Sequence, residues 1–267
     1  MGDVNFYSSV DDLKNCYFGA TLRTYNVNIK TISETSVVGK IDMTSGGEIS
    51  DLRNSNVKSG IYGSAGSIKR MFKDTISNLD GSGIQIGNIS LIDSCLIHDC
   101  KTGIETTNID TIRSSKIYEC TGYGIKSNSG KSVGLLSHCD IYNCTSGIFC
   151  SILGRIEYSN IYNNTEYGID GRYSQIETIY ECTISDNKKR GITSGQGTLK
   201  KLLNSIIKNN GIGFDNQTGT TEIIRNCSFI DNEECAVYFN NATLDSISDC
   251  FLSGSKTAIK FERVSGY

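Results

Sequence analysis

The chain has 267 residues, with 26 Lys+Arg against 29 Asp+Glu, a formal net charge of −3 and a pI near 5.5. That balance supplies no basic field for nucleic acid, and no apolar run is long enough to span a bilayer. Proline is absent and glycine numbers 28, a composition that suits many short strands joined by tight turns.

The opening Met-Gly-Asp-Val-Asn-Phe lacks the apolar stretch of a secretory signal, and Phe6 stands where a myristoylation motif needs Ser or Thr. No export or lipid signal is visible, so a virion component and leaderless export both fit. Residues 1–60 are the least regular part. Ser9-Val10-Asp11-Asp12 predicts a short helix through Leu13, placed to cover the first edge of the body. Cys16 to Phe18, Val27 to Ile32, Val37 to Met43 and Ile49 to Leu52 predict short strands. The expectation is an N-terminal cap with two or three imperfect coils over 1–60 and a regular body over 61–267, in one continuous domain.

The body is organised by near-copies of Ile-Tyr-Asn-Cys, at 141–144: Ile-His-Asp-Cys at 97–100, Ile-Tyr-Glu-Cys at 117–120 and Ile-Tyr-Asn-Asn at 161–164, with weaker copies onward. Let the opening apolar residue be position 0. Position −5 is then Met71, Ile92, Ile112, Leu136, Ile156, Ile179, Leu202, Ile224 and Ile247, and position −8 is apolar in every copy but Thr221. Position −2 is small: Cys95, Ser115, Cys139, Ser159, Cys182, Ser205, Cys227 and Cys250 follow Asp74. A small-then-apolar pair, such as Gly147-Ile148, Gly168-Ile169 or Gly213-Phe214, closes each copy. Apolar residues at −8, −5, 0 and +7 or +8 make no single helical stripe. They line the inside of a coil that turns several corners, so that each column stacks on itself about 4.8 Å away in the next coil.

This pattern resembles the right-handed parallel β-helix of the pectin-lyase-like superfamily over about residues 50–262. The predicted fold is all-β, a right-handed single-stranded parallel β-helix of about nine regular coils of 20–24 residues. The resemblance implies a stack of turn asparagines at +3, which Asn164, Asn187, Asn210 and Asn232 fit, with Cys100, Cys120 and Cys144 in their place earlier. It fixes no activity, because the same architecture serves lyases, hydrolases, adhesins and tailspikes.

Eight of the 11 cysteines fall into these columns and Cys16, Cys150 and Cys235 stand outside them. No zinc spacing appears, so the expectation is free buried thiols, a reducing environment, no metal and no cofactor. Position +1 holds His98, Tyr118, Tyr142 and Tyr162, an outward ladder read either as sheet-stabilising stacking or as a platform for sugar rings. Asp99 and Glu119, one coil apart, are the candidate catalytic pair near the separation retaining glycosidases use, against an ordinary turn role. Lys188, Lys189 and Arg190, with Lys200 and Lys201, form the basic concentration for an acidic sugar or phosphate, against a solvated turn.

The paired aspartates with Gly-His-Gly of polygalacturonase-like enzymes and the acidic calcium cluster of pectate-lyase-like enzymes are missing, and the even coil lengths leave no room for a deep cleft. The leading expectation is therefore a non-enzymatic structural or adhesive module, facing a polysaccharide or glycan and fit for a phage or viral particle or a surface fibre. An enzyme degrading polysaccharide is the alternative. After Phe261 only Glu262 to Tyr267 follow, and the open β-edge of the last coil calls for a cover by another copy or another protein.

Overall fold

The computed structural model describes residues 2–263, less the side chains at 106, 107, 128 and 129. The described residues form 31 strands and no helix, wound as a parallel β-helix. Residues 264–267, the end of the short tail after the last coil, lie outside the described residues.

One coil shows the plan. Ile152–Glu157 lies in a first sheet, Asn160–Tyr162 in a second and Tyr167–Asp170 in a third. The next coil repeats the path with Gln175–Tyr180, Thr183–Ser185 and Arg190–Thr193. Pairing is parallel and in register, Leu153 with Ile176, Ile161 with Ile184 and Ile169 with Ile192. Each apolar column thus stacks on its own kind, and the side chains at −8, −5, 0 and +8 fill one continuous dry interior.

Among the described residues the second sheet counts twelve coils, at Phe18, Val37, Val57, Ile76, Ile97, Ile117, Ile141, Ile161, Ile184, Ile207, Phe229 and Leu252. The nine coils expected from Ile76 onward are there, and three more precede them. The predicted helix at Ser9–Leu13 is not: Val10–Lys14 is a strand paired with Val27–Ser33. The physical reason is the column rule itself, since Val10 and Leu13 stand 8 and 5 residues before Phe18 and point into the core. Cys16 then takes the −2 place, so it belongs to a column after all.

The corner between the first and second sheets is built the same way in all twelve coils. The residue at −3, from Asn15 to Asp249, is left-handed, with φ between 49° and 57°. Side chains as different as Lys73, His138, Tyr158 and Asn204 occupy it, so the backbone bend and not the side chain is what this position supplies. The next residue, at −2, repays the bend. In every coil but that of Asp74 its hydroxyl or thiol donates to the carbonyl two residues back, as from Ser115 Oγ to Arg113 at 2.8 Å and from Cys139 Sγ to Ser137 at 3.3 Å. The serine hydroxyls also accept the amide of the preceding coil, Cys95 N to Ser115 Oγ at 3.0 Å and Cys182 N to Ser205 Oγ at 3.1 Å. Small polar side chains are selected here because the backbone groups they meet are buried.

The asparagine stack lies at the second corner. Asn164 N and Nδ2 donate to Asn187 Oδ1 at 3.1 and 2.9 Å, Asn187 repeats this onto Asn210 at 3.0 and 2.9 Å, and Asn210 onto Asn232 at 3.1 and 3.0 Å. All four asparagines are buried. The glycine at +7 makes room for them: a Cβ on Gly168 would meet Asn187 Nδ2 at 2.9 Å and the Gly191 carbonyl at 2.6 Å. Where Cys100, Cys120 and Cys144 replace asparagine, each thiol donates to the carbonyl two residues back in its own coil, and the Cys144 amide still reaches Asn164 Oδ1 at 3.0 Å.

Candidate functional site

The aromatic ladder forms as a stack. Ring centroids of His98 and Tyr118 are 5.1 Å apart, of Tyr118 and Tyr142 5.1 Å and of Tyr142 and Tyr162 4.9 Å, with planes within 15° of parallel. Each inner ring therefore spends both faces on its neighbours and turns only its edge and hydroxyl outward. A sugar ring stacks on an aromatic face, and in this ladder only the outer faces of the two terminal rings remain for one.

Asp99 and Glu119 take left-handed turn positions with φ of 50° and 55°, in a series continued by Asn143, Asn163, Asp186, Asn209 and Asp231. Asp99 accepts a hydrogen bond in contact with His98 Nδ1 at 2.7 Å, and Glu119 borders an open groove of about 290 Å³ shared with Cys120, Asn143 and Cys144. Short polar side chains are the ordinary occupants of such turns, which accounts for both carboxylates.

The basic concentration divides. Lys200 and Lys201 lie on the first-sheet strand Thr198–Leu203, where Lys200 pairs with Glu177 at 2.7 Å. Lys188 and Lys189 lie on the corner leading into the third sheet, Lys188 lining an open groove with Asp186 and Glu233 and Lys189 paired with Glu166 at 2.6 Å. Arg190 opens the third-sheet strand Arg190–Thr193 and turns into a cavity that none of the lysines lines.

That cavity has a volume of about 450 Å³. It lies where the third sheet runs back to the first through the connections Gly171-Arg172-Tyr173-Ser174 and Ser194-Gly195-Gln196-Gly197. Four residues in each connection are enough to build its walls, so even coil lengths did not preclude a pocket. Its floor includes Thr193 and Asp215, which pair in register on one outward column of the third sheet, where Asp170 is the next residue.

Two carboxylates of this column are buried, Asp170 at 1% and Asp215 at 0% exposure. Arg172 clamps Asp170 with both Nε and Nη2, at 2.8 and 2.7 Å, and this pairing raises the guanidinium pKa. Arg190 Nε meets Asp215 Oδ2 as a close ion pair, off the line of a hydrogen bond, and Gln217 Nε2 donates to the same oxygen at 3.0 Å. Burial nonetheless raises the Asp215 pKa above the ordinary carboxylate value. The Tyr167 ring lies under the Arg172, Arg190 and Lys189 side chains, with centroid distances of 5.2, 5.9 and 5.8 Å, and Tyr173, 68% exposed, forms a rim.

The unpaired atoms gather here. Among the described residues four buried side-chain polar atoms have no hydrogen-bond partner, and three of them, Arg190 Nε, Ser194 Oγ and Asp215 Oδ1, lie at or beside this cavity. Buried polar groups in folded proteins are nearly all satisfied, so this cluster of exceptions marks the cavity as the candidate site.

Of the residues singled out from sequence, only Arg190 belongs to this cavity. The two carboxylates do carry a sequence signal: both follow the small-apolar pair directly, as Gly168-Ile169-Asp170 and Gly213-Phe214-Asp215. Glu105 holds the same place after Gly103-Ile104, tied to Lys126 at 2.9 Å and Ser82 at 2.9 Å. Arg172 and Gln196 come from connections that do not repeat, and no periodicity points to them; Asn240 ends the third-sheet strand Cys235–Asn240.

Comparison with known proteins finds no curated protein and no solved structure that matches the chain. The family described as right handed beta helix region matches twice, over residues 92–222 and 137–265, together well over half of the chain. The match covers both corners, the asparagine stack and all three sheets around the cavity, and with the parallel pairing of every coil it establishes that this chain belongs to the right-handed β-helix family.

Proposed function

We propose that the protein is a non-enzymatic adhesive β-helix module that binds a polysaccharide segment in the third-sheet cavity. The observation that carries this reading is the fully buried Asp215 with Oδ1 unpartnered at the cavity. A sugar meets such a site well. Its hydroxyls donate to a carboxylate and accept from Arg190, Gln196, Gln217 and Asn240, while its apolar ring face suits the exposed Tyr173. A rigid solenoid adds a second favourable term, because the groups are held in register before the ligand arrives.

The test is a glycan panel presented to the wild-type chain and to Asp215→Asn and Tyr173→Ala variants, with folding checked by circular dichroism. Binding of at least one glycan, weakened tenfold or more in both variants, is expected. A folded wild-type chain that binds nothing on a broad panel, or binding that both variants retain, removes the reading.

Asp215 also favours a second reading, an enzyme acting on polysaccharide. Asp170 and Asp215 lie two coils apart in one column, about 10 Å between Cα atoms, close to the span of a carboxylate pair with a water between them in inverting glycosidases. Release of reducing ends or unsaturated products, lost in Asp215→Asn, would decide for it.

The proposal extends to a protein partner on the last described coil, where Leu244, Ile247, Leu252 and Ile259 are only partly buried and Phe251 and Phe261 are exposed. Another copy or another protein covering that edge is expected. A stable monomer by light scattering would count against a second copy.

A further inference from the structure

The −2 column alternates thiol and hydroxyl: Cys95, Ser115, Cys139, Ser159, Cys182, Ser205 and Cys227 follow one another up the helix. Alternation holds each of these thiols two coils, about 10 Å, from the next. It breaks once, because Cys250 follows Cys227 directly. The two strands that begin beside them pair in register, Ser228 with Phe251, and Phe251 N donates to the Cys227 carbonyl at 2.9 Å. Cys227 and Cys250 therefore stand on adjacent coils at the corner position, a separation inside the Cα range that a disulfide spans.

Their sulfurs point the same way. Cys227 Sγ donates to Arg225 O at 3.3 Å and Cys250 Sγ to Ser248 O at 3.2 Å. Cys227 is fully buried, while Cys250 is partly exposed. The neighbouring Cys227 side chain also lowers the Cys250 thiol pKa, which favours the reactive thiolate. Cys100, Cys120 and Cys144 likewise stack on successive coils, but all three are buried, whereas Cys250 is partly exposed.

We propose that Cys250 and Cys227 form a peroxide-responsive thiol pair that staples the last two described coils together. The Cys250 thiolate attacks one oxygen of hydrogen peroxide, the O–O bond breaks, and the departing hydroxide takes a proton to become water. The Cys227 sulfur then attacks the resulting Cys250 sulfenic acid; its own proton and the sulfenate oxygen leave as a second water as the S–S bond forms. The two thiols lose two electrons and the peroxide gains them. The product ties the last described coil, with its partly exposed Leu252 and Ile259, to a fully packed neighbour.

The experiment treats the full folded chain with hydrogen peroxide, blocks remaining thiols by alkylation and maps peptides by mass. Trypsin leaves Cys227, Cys235 and Cys250 on one peptide between Arg225 and Lys256, so a second cut after Glu233 or Glu234 is needed to separate Cys227 from Cys250. Halves that stay joined until dithiothreitol is added are expected in the wild type and in Cys235→Ser, and are lost in Cys250→Ser. Cys16, also partly exposed and without a neighbouring thiol in its column, shows that the oxidant acted. Oxidation of Cys16 with no joined halves, a joined pair that survives in Cys250→Ser, or over-oxidation of Cys250 without a cross-link would overturn the proposal.

Discussion

Asp74 stands at the −2 corner position where other coils place serine, threonine or cysteine, and replacing it with serine should change how stability depends on pH. Its carboxylate is 1% exposed and accepts the Ser55 amide at 2.9 Å and the Phe72 amide at 3.0 Å. Burial outweighs these two bonds and lifts the pKa from 3.8 to about 7. The folded chain thus holds a proton that the unfolded chain releases between those values. For such a group the stabilising contribution is complete below pH 3.8 and is lost as pH rises through about 7. At 1.36 kcal/mol per pH unit the loss is on the order of 4 kcal/mol. Serine has no charge to bury, and its hydroxyl can donate to the Phe72 carbonyl as Ser115 does to Arg113. Urea unfolding of wild type and Asp74→Ser at intervals from pH 4 to pH 8.5 tests this. Carboxylates with lowered pKa values, such as Asp93 and Glu105, give stability curves of opposite slope, but they are common to both proteins and cancel in the difference. The stability of the variant relative to wild type should climb by a few kcal/mol between pH 4 and pH 8. Parallel curves would refute the argument that Asp74 is a buried acid held protonated by its surroundings.

Asn187→Ala removes the shared acceptor of Asn164 N and Nδ2 and leaves them buried and unpaired, so a loss of about 2–4 kcal/mol in denaturant unfolding is expected, whereas exposed Asn143→Ala should cost far less. Tyr142→Ala breaks two ring contacts at the middle of the ladder and should cost about 1–3 kcal/mol, while glycan binding, placed in the third-sheet cavity, stays unchanged on the same panel. Cys139→Ser puts the alternate residue of its own column into a site that already donates to Ser137 O; a loss below about 1 kcal/mol is expected by thermal unfolding.

The early coils show how far the columns carry. Val10, Leu13, Cys16 and Phe18 keep the −8, −5, −2 and 0 spacing, yet without a Gly-Ile pair or an asparagine turn beside them the local capping pattern of Ser9 to Asp12 suggested a helix. Stacking on Val27–Ser33 decided the matter, because a strand there buries Val10 and Leu13 and a helix would leave the edge of that strand unpaired. The aromatic ladder was legible as a ladder from spacing alone. What a column of rings does with its faces became clear only from the tilt and separation of neighbouring rings.

The sequence by itself determined the fold, since a repeat in one dimension dictates stacking in three: like residues meet like residues at each coil, and the apolar columns, the corner caps and the asparagine stack all follow from register. The cavity was decided by tertiary structure. Asp170 and Asp215 are 45 residues apart along the chain and share one outward column, and Arg172 and Gln196 join the cavity from connections that break the repeat. A periodic pattern records what every coil has in common, and a binding site is made from the places where coils differ.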